Sequence, residues 1–152
     1  MPDTHSHERA QPETILAFDF GLRRIGVAVG QTVTGSASPL RVVQNGAKGP
    51  DFDAISRLID EWRPSRLVVG LPLHADGSPG ELQSHVDSFV RELWRYQLKV
   101  DKVDERYTSI EAEKALKDAR ASGSRGRISK ETIDSAAAVI IAERFLTGRT
   151  NV

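Results

Sequence analysis

An uninterrupted apolar run, RLVVGL at Arg66–Leu71, limits the folds open to this chain more than any other stretch. A strand without polar alternation is typical of the centre of a sheet that is covered on both faces. Helices must supply those covers, and the chain has helical patterns on either side of the run. Apolar side chains recur at helical spacing in residues 52–62 and again in residues 82–96. The sequence therefore predicts an α/β domain.

The order of the remaining patterns predicts the topology. Short apolar runs at residues 15–20 and 25–29 flank a turn and form a hairpin, and residues 37–44 form a third strand. The motifs SPGE at 78–81 and TSIE at 108–111 are capping boxes that start two helices on either side of a strand at 99–105. Ser129 can cap a last helix to residue 145. We expect a mixed five-stranded sheet, its first three strands an antiparallel meander, with helices on both faces.

Composition excludes several classes of protein. Lys+Arg and Asp+Glu both total 21, so the formal net charge is zero and any nucleic-acid surface must be local. The absence of cysteine excludes disulfides, thiolate catalysis and cysteine-type zinc sites. No apolar run is long enough to span a bilayer, and the first residues lack a signal-peptide core. We expect a cytoplasmic protein with no membrane partner, a disordered tail at residues 1–14, one domain at 15–147 and a second tail at 148–152.

A carboxylate interrupts the first strand. By strand alternation, Asp19 shares a face with Ile15 and Ala17, whereas Phe18 and Phe20 point to the other face. An ionised carboxylate is costly to bury without a cation, a metal or several hydrogen bonds. Pairing with Arg23 or Arg24 would satisfy it, and so would a metal. Gly21 permits a sharp turn, or a close approach, directly after it.

Two further acids raise the same question. Glu105 closes the strand at 99–105, and Asp134 lies in the first turns of an otherwise apolar helix. Each has an ordinary explanation, since Glu105 could pair with Arg106 or Arg66 and a carboxylate is stabilised near a helix N-terminus. Together with Asp19 they suit two hard divalent cations, Mg²⁺ or Mn²⁺, which prefer oxygen ligands. Two such ions support phosphodiester hydrolysis, with one activating water and one stabilising the leaving oxygen.

Basic residues are concentrated between the second and third acids. Residues 114–130 hold six Lys and Arg residues against Asp118 alone. This segment could hold a phosphate backbone, although a solvated loop is an equally good interpretation. Two more arginines follow Asp19 in the hairpin turn. The candidate phosphate-binding residues from these two places are Arg23, Arg24, Arg120, Arg125, Arg127 and Lys130.

Four motifs in order resemble the YqgF/RuvX family of RNase H-like nucleases, described as Holliday junction resolvases and as the pre-16S ribosomal RNA processing nuclease. FDFGLRRIGVAVG resembles the family's D-x-G-x-x-R-I-G-x-A segment, and VVGLPLHADGSPGE its V-G-L-P…D-G stretch. VDERYTS and IDSAAAVIIAERFL resemble its D-E-R-x-T-S motif and closing D-x-x-A-A helix. The resemblance implies an RNase H-like fold, with Asp19, Glu105 and Asp134 as metal-binding acids and Arg24 and Arg106 near phosphate.

The chain departs from the family pattern at two places. Gly30 and Gln31 stand where a Ser-Asp pair usually follows the second strand, and Leu73 and His74 where an asparagine is common. Neither change touches the three acids, but both could alter substrate contacts near the site. Only three acids are found, whereas many RNase H-like nucleases use four.

The leading hypothesis is a metal-dependent endonuclease that processes the 5′ end of pre-16S ribosomal RNA. A Holliday junction resolvase acting on four-way DNA is the alternative substrate class, and a non-catalytic nucleic-acid-binding module is the alternative function. An ATP-using enzyme of the actin type also opens with a D-x-G strand, but this chain is too short for its duplicated domain. The protein would act as a monomer or, for a junction resolvase, as a homodimer.

Overall fold

The computed structural model describes residues 12–71, 80–104 and 130–150, with the side chains of 130–134 and 149–150 excepted. The described residues form a six-stranded sheet in the order β4-β3-β2-β1-β5-β6. The strands are β1 Thr14–Asp19, β2 Arg24–Gln31, β3 Ser36–Gly46, β4 Gly49–Pro50, β5 Arg66–Leu71 and β6 Lys99–Asp104. The helices are α1 Phe52–Trp62, α2 Gln83–Leu93, a 3₁₀ turn Trp94–Tyr96 and α3 Lys130–Thr150.

The sheet is mixed, as the sequence predicts. Strands β1, β2 and β3 pair antiparallel, and β1 pairs with β2 so that Asp19 lies opposite Gly26. Strands β1, β5 and β6 run parallel to one another. The carboxyl ends of these three neighbouring strands therefore lie at one edge of the sheet, and Asp19 is the last residue of the first of them.

The prediction of five strands is wrong by one. Gly49 and Pro50 form a short sixth strand, β4, which pairs with Asn45 and Gly46 of β3. Two residues carry no periodic pattern, so nothing in the sequence marks them as a strand. Their pairing also depends on Gly49, which has a φ of 89° that other residues rarely adopt.

Helix α1 has the bounds that its apolar spacing predicts. Asp51 accepts a hydrogen bond from the backbone N–H of Ala54, at 3.1 Å, and so caps the helix. Arg63 ends it in the left-handed conformation, with φ 47° and ψ 57°, directly before Pro64. A left-handed residue followed by proline is a common helix stop.

The SPGE motif does not start α2 within the described part of the chain. Gly80 and Glu81 precede the helix in a turn, and α2 begins at Gln83 with no side-chain cap. The helix is also shorter than predicted, because the chain tightens into a 3₁₀ turn at Trp94–Tyr96. Helix α3 begins after Ser129 as expected and continues to Thr150 rather than ending at residue 145. The helix predicted to start at the TSIE motif, and the basic segment 114–130 except Lys130, lie outside the described residues.

Two apolar layers cover the sheet, one on each face. Leu16 and Phe18 of β1, and Phe20 directly after it, pack with α1 and α2. Ile15 and Ala17 pack on the other face with Ile141, Ala142 and Leu146 of α3. This confirms helices on both faces and the alternation predicted for β1. A helix long and apolar enough to cross a membrane is absent from the described residues.

Arg66 ties several elements together at the edge opposite Asp19. Its Nε donates to Glu13 Oε1 at 3.3 Å and its Nη1 to Asp101 Oδ2, and its guanidinium lies 5.6 Å from the centre of the Phe145 ring. Burial lowers the pKa of Arg66, but its hydrogen bonds and charge interactions with Asp101 and Glu13 outweigh that effect and raise the pKa above its usual value. Arg66 therefore links the start of β1 to β6 and α3.

Candidate functional site

The candidate site is centred on Asp19 at the carboxyl end of β1. Asp19 is half-buried, and it follows Ile15 and Ala17 on the face that α3 covers. Strand alternation requires Asp19 to point to this face, because Phe18 and Phe20 are buried in the layer on the other face. A carboxylate is thus held at the end of a rigid central strand, where its direction is fixed by the core.

The turn after Asp19 is held by close backbone contacts. A Cβ atom added at Gly21 would lie 2.6 Å from the carbonyl oxygen of Arg24, so the chain turns here only because the residue is glycine. Asn45 of β3 clamps the same turn from the side. Its Nδ2 donates to the Gly21 carbonyl at 2.7 Å, and its backbone N–H donates to the Arg23 carbonyl at 2.9 Å.

Asn45 is a positioning residue that no sequence pattern reveals. It lies near the end of β3, where its backbone pairs with Pro50 of β4 and its side chain reaches back to the first hairpin. No periodicity singles out this asparagine. Its only sequence signal is a polar residue that closes an apolar strand just before a glycine, and many turns share that pattern.

The other two predicted acids are placed only by their elements. Strand β6 ends at Asp104, which pairs with Leu71 at the carboxyl end of β5, and Glu105 is the next residue in sequence, outside the described part. Asp134 lies in the first turns of α3, the helix that packs on the Asp19 face, and its side chain is not described. The prediction that the three carboxylates meet therefore stays a prediction.

The predicted basic residues divide in the same way. Arg23 is exposed in the turn after Asp19, and Arg24 begins β2 and is half-buried. Lys130 is the first residue of α3. The remaining candidates lie outside the described residues; they are Arg106, Arg120, Arg125 and Arg127. Arg23 and Arg24 thus lie four and five residues after Asp19 in the sequence.

The donor set suits a hard divalent cation. Among the residues that the structure describes, no three His, Cys, Asp or Glu side chains gather as a metal site. Of the three predicted acids, only Asp19 has a described side chain, so the fit to a metal is judged on Asp19. Carboxylate oxygens are the ligands that Mg²⁺ and Mn²⁺ prefer, and a half-buried carboxylate at a strand end fits that role.

The departure at residues 30–31 has a packing explanation. A Cβ atom at Gly30 would lie 3.1 Å from Ile15 Cγ1 and 3.2 Å from Leu146 Cδ1, so α3 packs directly against the glycine backbone. Gln31 Oε1 accepts a hydrogen bond from Thr14 Oγ1 at 3.0 Å across the β1–β2 pair. Both residues lie at the edge opposite Asp19 and serve the packing of the domain, so the expectation that this departure alters contacts near the site is wrong for residues 30 and 31.

Solved structures with a similar fold are Holliday junction resolvases. The fowlpox virus resolvase, solved with its junction DNA, has a TM-score of 0.57 at 9% identity over 90% of this chain and 98% of that one. Thermus thermophilus RuvC, solved with a Holliday junction substrate, has a TM-score of 0.53 at 13% identity over 91% of this chain and 96% of that one. The fold is therefore RNase H-like, as the sequence predicts.

Curated relatives share far more of the sequence. A protein of Paraburkholderia phymatum with the name "Putative pre-16S rRNA nuclease" is 46% identical over 136 residues, which cover 89% of this chain and 85% of that protein. One of the same name from Burkholderia lata is 45% identical over 138 residues, 90% of this chain and 91% of that protein. The RuvX family, described as Holliday junction resolvase, matches residues 13–148. The chain belongs to the RuvX family.

Proposed function

We propose that this protein is a nuclease that hydrolyses phosphodiester bonds and processes the 5′ end of pre-16S ribosomal RNA. The observation that carries the proposal is the half-buried carboxylate of Asp19, fixed at the carboxyl end of β1 beside a glycine turn. The names of relatives at about 45% identity support RNA as the substrate. Processing of ribosomal RNA would place the protein in the cytoplasm.

The three acids would hold Mg²⁺ or Mn²⁺, and the donor chemistry of Asp19 fits that role. Bound metal would supply an activated water and stabilise the leaving oxygen of the phosphodiester. Asp19 would be the fixed ligand of the set, because β1 is buried on both faces and therefore fixes the orientation of the carboxylate. Glu105 follows β6, the second strand along at the same edge, and Asp134 lies in the helix over that face. These positions make both the best partners for Asp19.

The arginines next to Asp19 would hold the phosphate backbone. Arg23 is exposed in a turn that Asn45 fixes by two hydrogen bonds, so its charge is presented at the same edge as the carboxylate. Arg24, Arg106, Arg120, Arg125, Arg127 and Lys130 would add to this contact. Such contacts position a nucleic acid without reading its sequence, so the structure of the substrate would decide where it is cut.

Cleavage of a four-way DNA junction is the second candidate. The likeness of the fold to resolvases that were solved with junction DNA favours it. A junction must be cut at two symmetric places, so this activity requires a homodimer with two sites, whereas a processing nuclease need not be dimeric. A non-catalytic binding module is the third candidate, and retention of all three acids argues against it.

One experiment separates the candidates. Purified protein is incubated with Mn²⁺ and either end-labelled pre-16S RNA carrying its 5′ extension or a labelled four-way DNA junction. We expect the RNA to be cut within the 5′ extension and the junction to stay intact. Paired symmetric cuts in the junction alone, by a dimer, would contradict the RNA proposal. If the protein binds both substrates and cleaves neither, its assignment as an enzyme would be contradicted.

A further inference from the structure

A cleft of about 260 Å³ opens on the opposite face of the sheet from Asp19. Its walls are the turn after β1, the β3–β4 hairpin and one side of α2. The cleft volume lies just below the roughly 300–1,000 Å³ of pockets that take drug-sized ligands. Its size therefore suits one flat ring system.

The cleft lies directly beside the candidate site along the chain. Phe20, the residue after Asp19, forms part of its floor, and Leu22 of the same turn forms a wall that is 54% exposed. Asp19 and Phe20 point to opposite faces, so only the turn at residues 21–23 separates carboxylate from cleft. Asn45 lines the cleft and also holds that turn, at 2.7 Å from the Gly21 carbonyl. A nucleic-acid strand that crosses this turn would contact both the Asp19 carboxylate and the cleft.

The lining suits a base and not a phosphate. Phe20 and Phe89 lie with their ring centroids 5.3 Å apart and form an apolar floor. His85 and Ser88 of α2 also line the cleft; Ser88 Oγ accepts a hydrogen bond from Arg91 Nη2 at 3.2 Å, and its O–H can still donate to a base. Glu92, another lining residue, would repel a phosphate but can accept a hydrogen bond from the exocyclic amine of a base. Bases in single strands are bound in this way, against apolar or aromatic side chains with polar groups at their edges.

We propose that the cleft receives an unpaired nucleobase of the substrate, from a nucleotide next to the cleaved phosphate. This inference rests on the proposed nuclease function and narrows its substrate to nucleic acid that is single-stranded at the cut. A base in a duplex is held by its partner and cannot enter. The phosphate lies on the Asp19 side of the turn, and the base lies on the α2 side.

The test measures binding in EDTA, so that it does not depend on cleavage. A single-stranded RNA that spans the processing point is labelled, and an abasic residue is moved along it one position at a time. We expect wild-type protein to bind about tenfold more weakly when the abasic residue falls at one particular position. Ser88→Trp fills the cleft from α2, and Ala47→Trp fills it from the hairpin. The matched control is Ser84→Trp, an exposed serine of α2 outside the cleft.

The proposal expects both filling variants to bind the intact RNA about tenfold more weakly and to lose the position-dependent effect, while Ser84→Trp keeps it. Equal binding of all abasic RNAs by the wild type would overturn the proposal. So would wild-type behaviour of both filled variants, which would leave the cleft to another partner such as a protein side chain. Continued cleavage by Asp19→Asn would overturn the site assignment alone and leave this binding result standing.

Discussion

Asp19 is held in place by its neighbours at the level of single residues. The residue before it and the residue after it are buried in the layer under α1 and α2, so the Asp19 carboxylate must face α3. The turn that follows is shaped by backbone contact, because the Arg24 carbonyl occupies the space where a side chain at Gly21 would stand. The D-x-G pattern thus combines a fixed carboxylate with a turn that only glycine permits.

Replacing Gly21 by alanine should destabilise the protein by about 1–3 kcal/mol, the usual cost of forcing an atom into a filled space. The added Cβ would lie 2.6 Å from a backbone oxygen, which cannot rotate away as a side chain would. Unfolding in urea measures the loss. Gly46→Ala is the matched control, since no atom lies within 4 Å of a Cβ there. Equal stability of the two variants would show that the turn relaxes freely.

At the level of elements, α3 packs so closely on β1 and β2 that Gly30 of β2 has little room for a side chain. Gly30→Ser, which restores the residue common in the family, should cost about 1–3 kcal/mol. Its Cβ would crowd Ile15, which is fully buried, and Leu146, which is 2% exposed, so neither can move out to solvent. Urea unfolding gives the value.

A double variant checks that the cause is crowding. Combining Gly30→Ser with Leu146→Ala removes one of the two contacts, so the combined loss should be smaller than the sum of the single losses. Additive losses would mean that the serine acts elsewhere, for example on the backbone of β2.

The elements with strong periodicity could be predicted from sequence, and those fixed by tertiary contacts could not. Strand β5 and helix α1 have their predicted bounds, because an unbroken apolar run and a regular apolar stripe leave little choice. The predicted start of α2 is wrong. A good capping box does not fix where the helix begins, because Gly80 and Glu81 form a turn before it. Strand β4 was missed because it exists only by pairing with β3.

At the scale of the whole molecule, Arg66 joins distant parts of the chain at the edge away from the site. Arg66→Met keeps much of the stem but removes the links to Glu13 and Asp101, so we expect a loss of about 1–2 kcal/mol, reduced because Asp101 is 40% exposed. Urea unfolding measures it, with the exposed Arg57→Met as control. A loss no larger than that of the control would mean that these ion pairs contribute nothing.

The pH dependence of this contribution follows from the direction of the pKa shift. Folding raises the pKa of Arg66, so the guanidinium keeps its charge from neutral pH into strong alkali, and its stabilisation is lost only there on the alkaline side. The difference in stability between wild type and Arg66→Met should therefore not change when the pH is raised from about 7 to 9.

The sequence predicts individual residues of the candidate site better than the contacts between them. A carboxylate inside a core strand is visible in sequence, and its face follows from alternation, so Asp19 could be found without a structure. The clamp by Asn45 could not, because it joins residues 24 positions apart through a side chain with no pattern of its own.

Cleavage of pre-16S RNA by wild type and Asp19→Asn, with Mn²⁺ or with EDTA, tests the central claim most directly. We expect cleavage by the wild type only with metal, and a loss of more than about a hundredfold in Asp19→Asn, since even residues that merely support a metal ligand contribute 10–100-fold. Asp60→Asn, at an exposed position of α1, is the control and should cleave normally. Undiminished, metal-dependent cleavage by a folded Asp19→Asn protein would contradict the account.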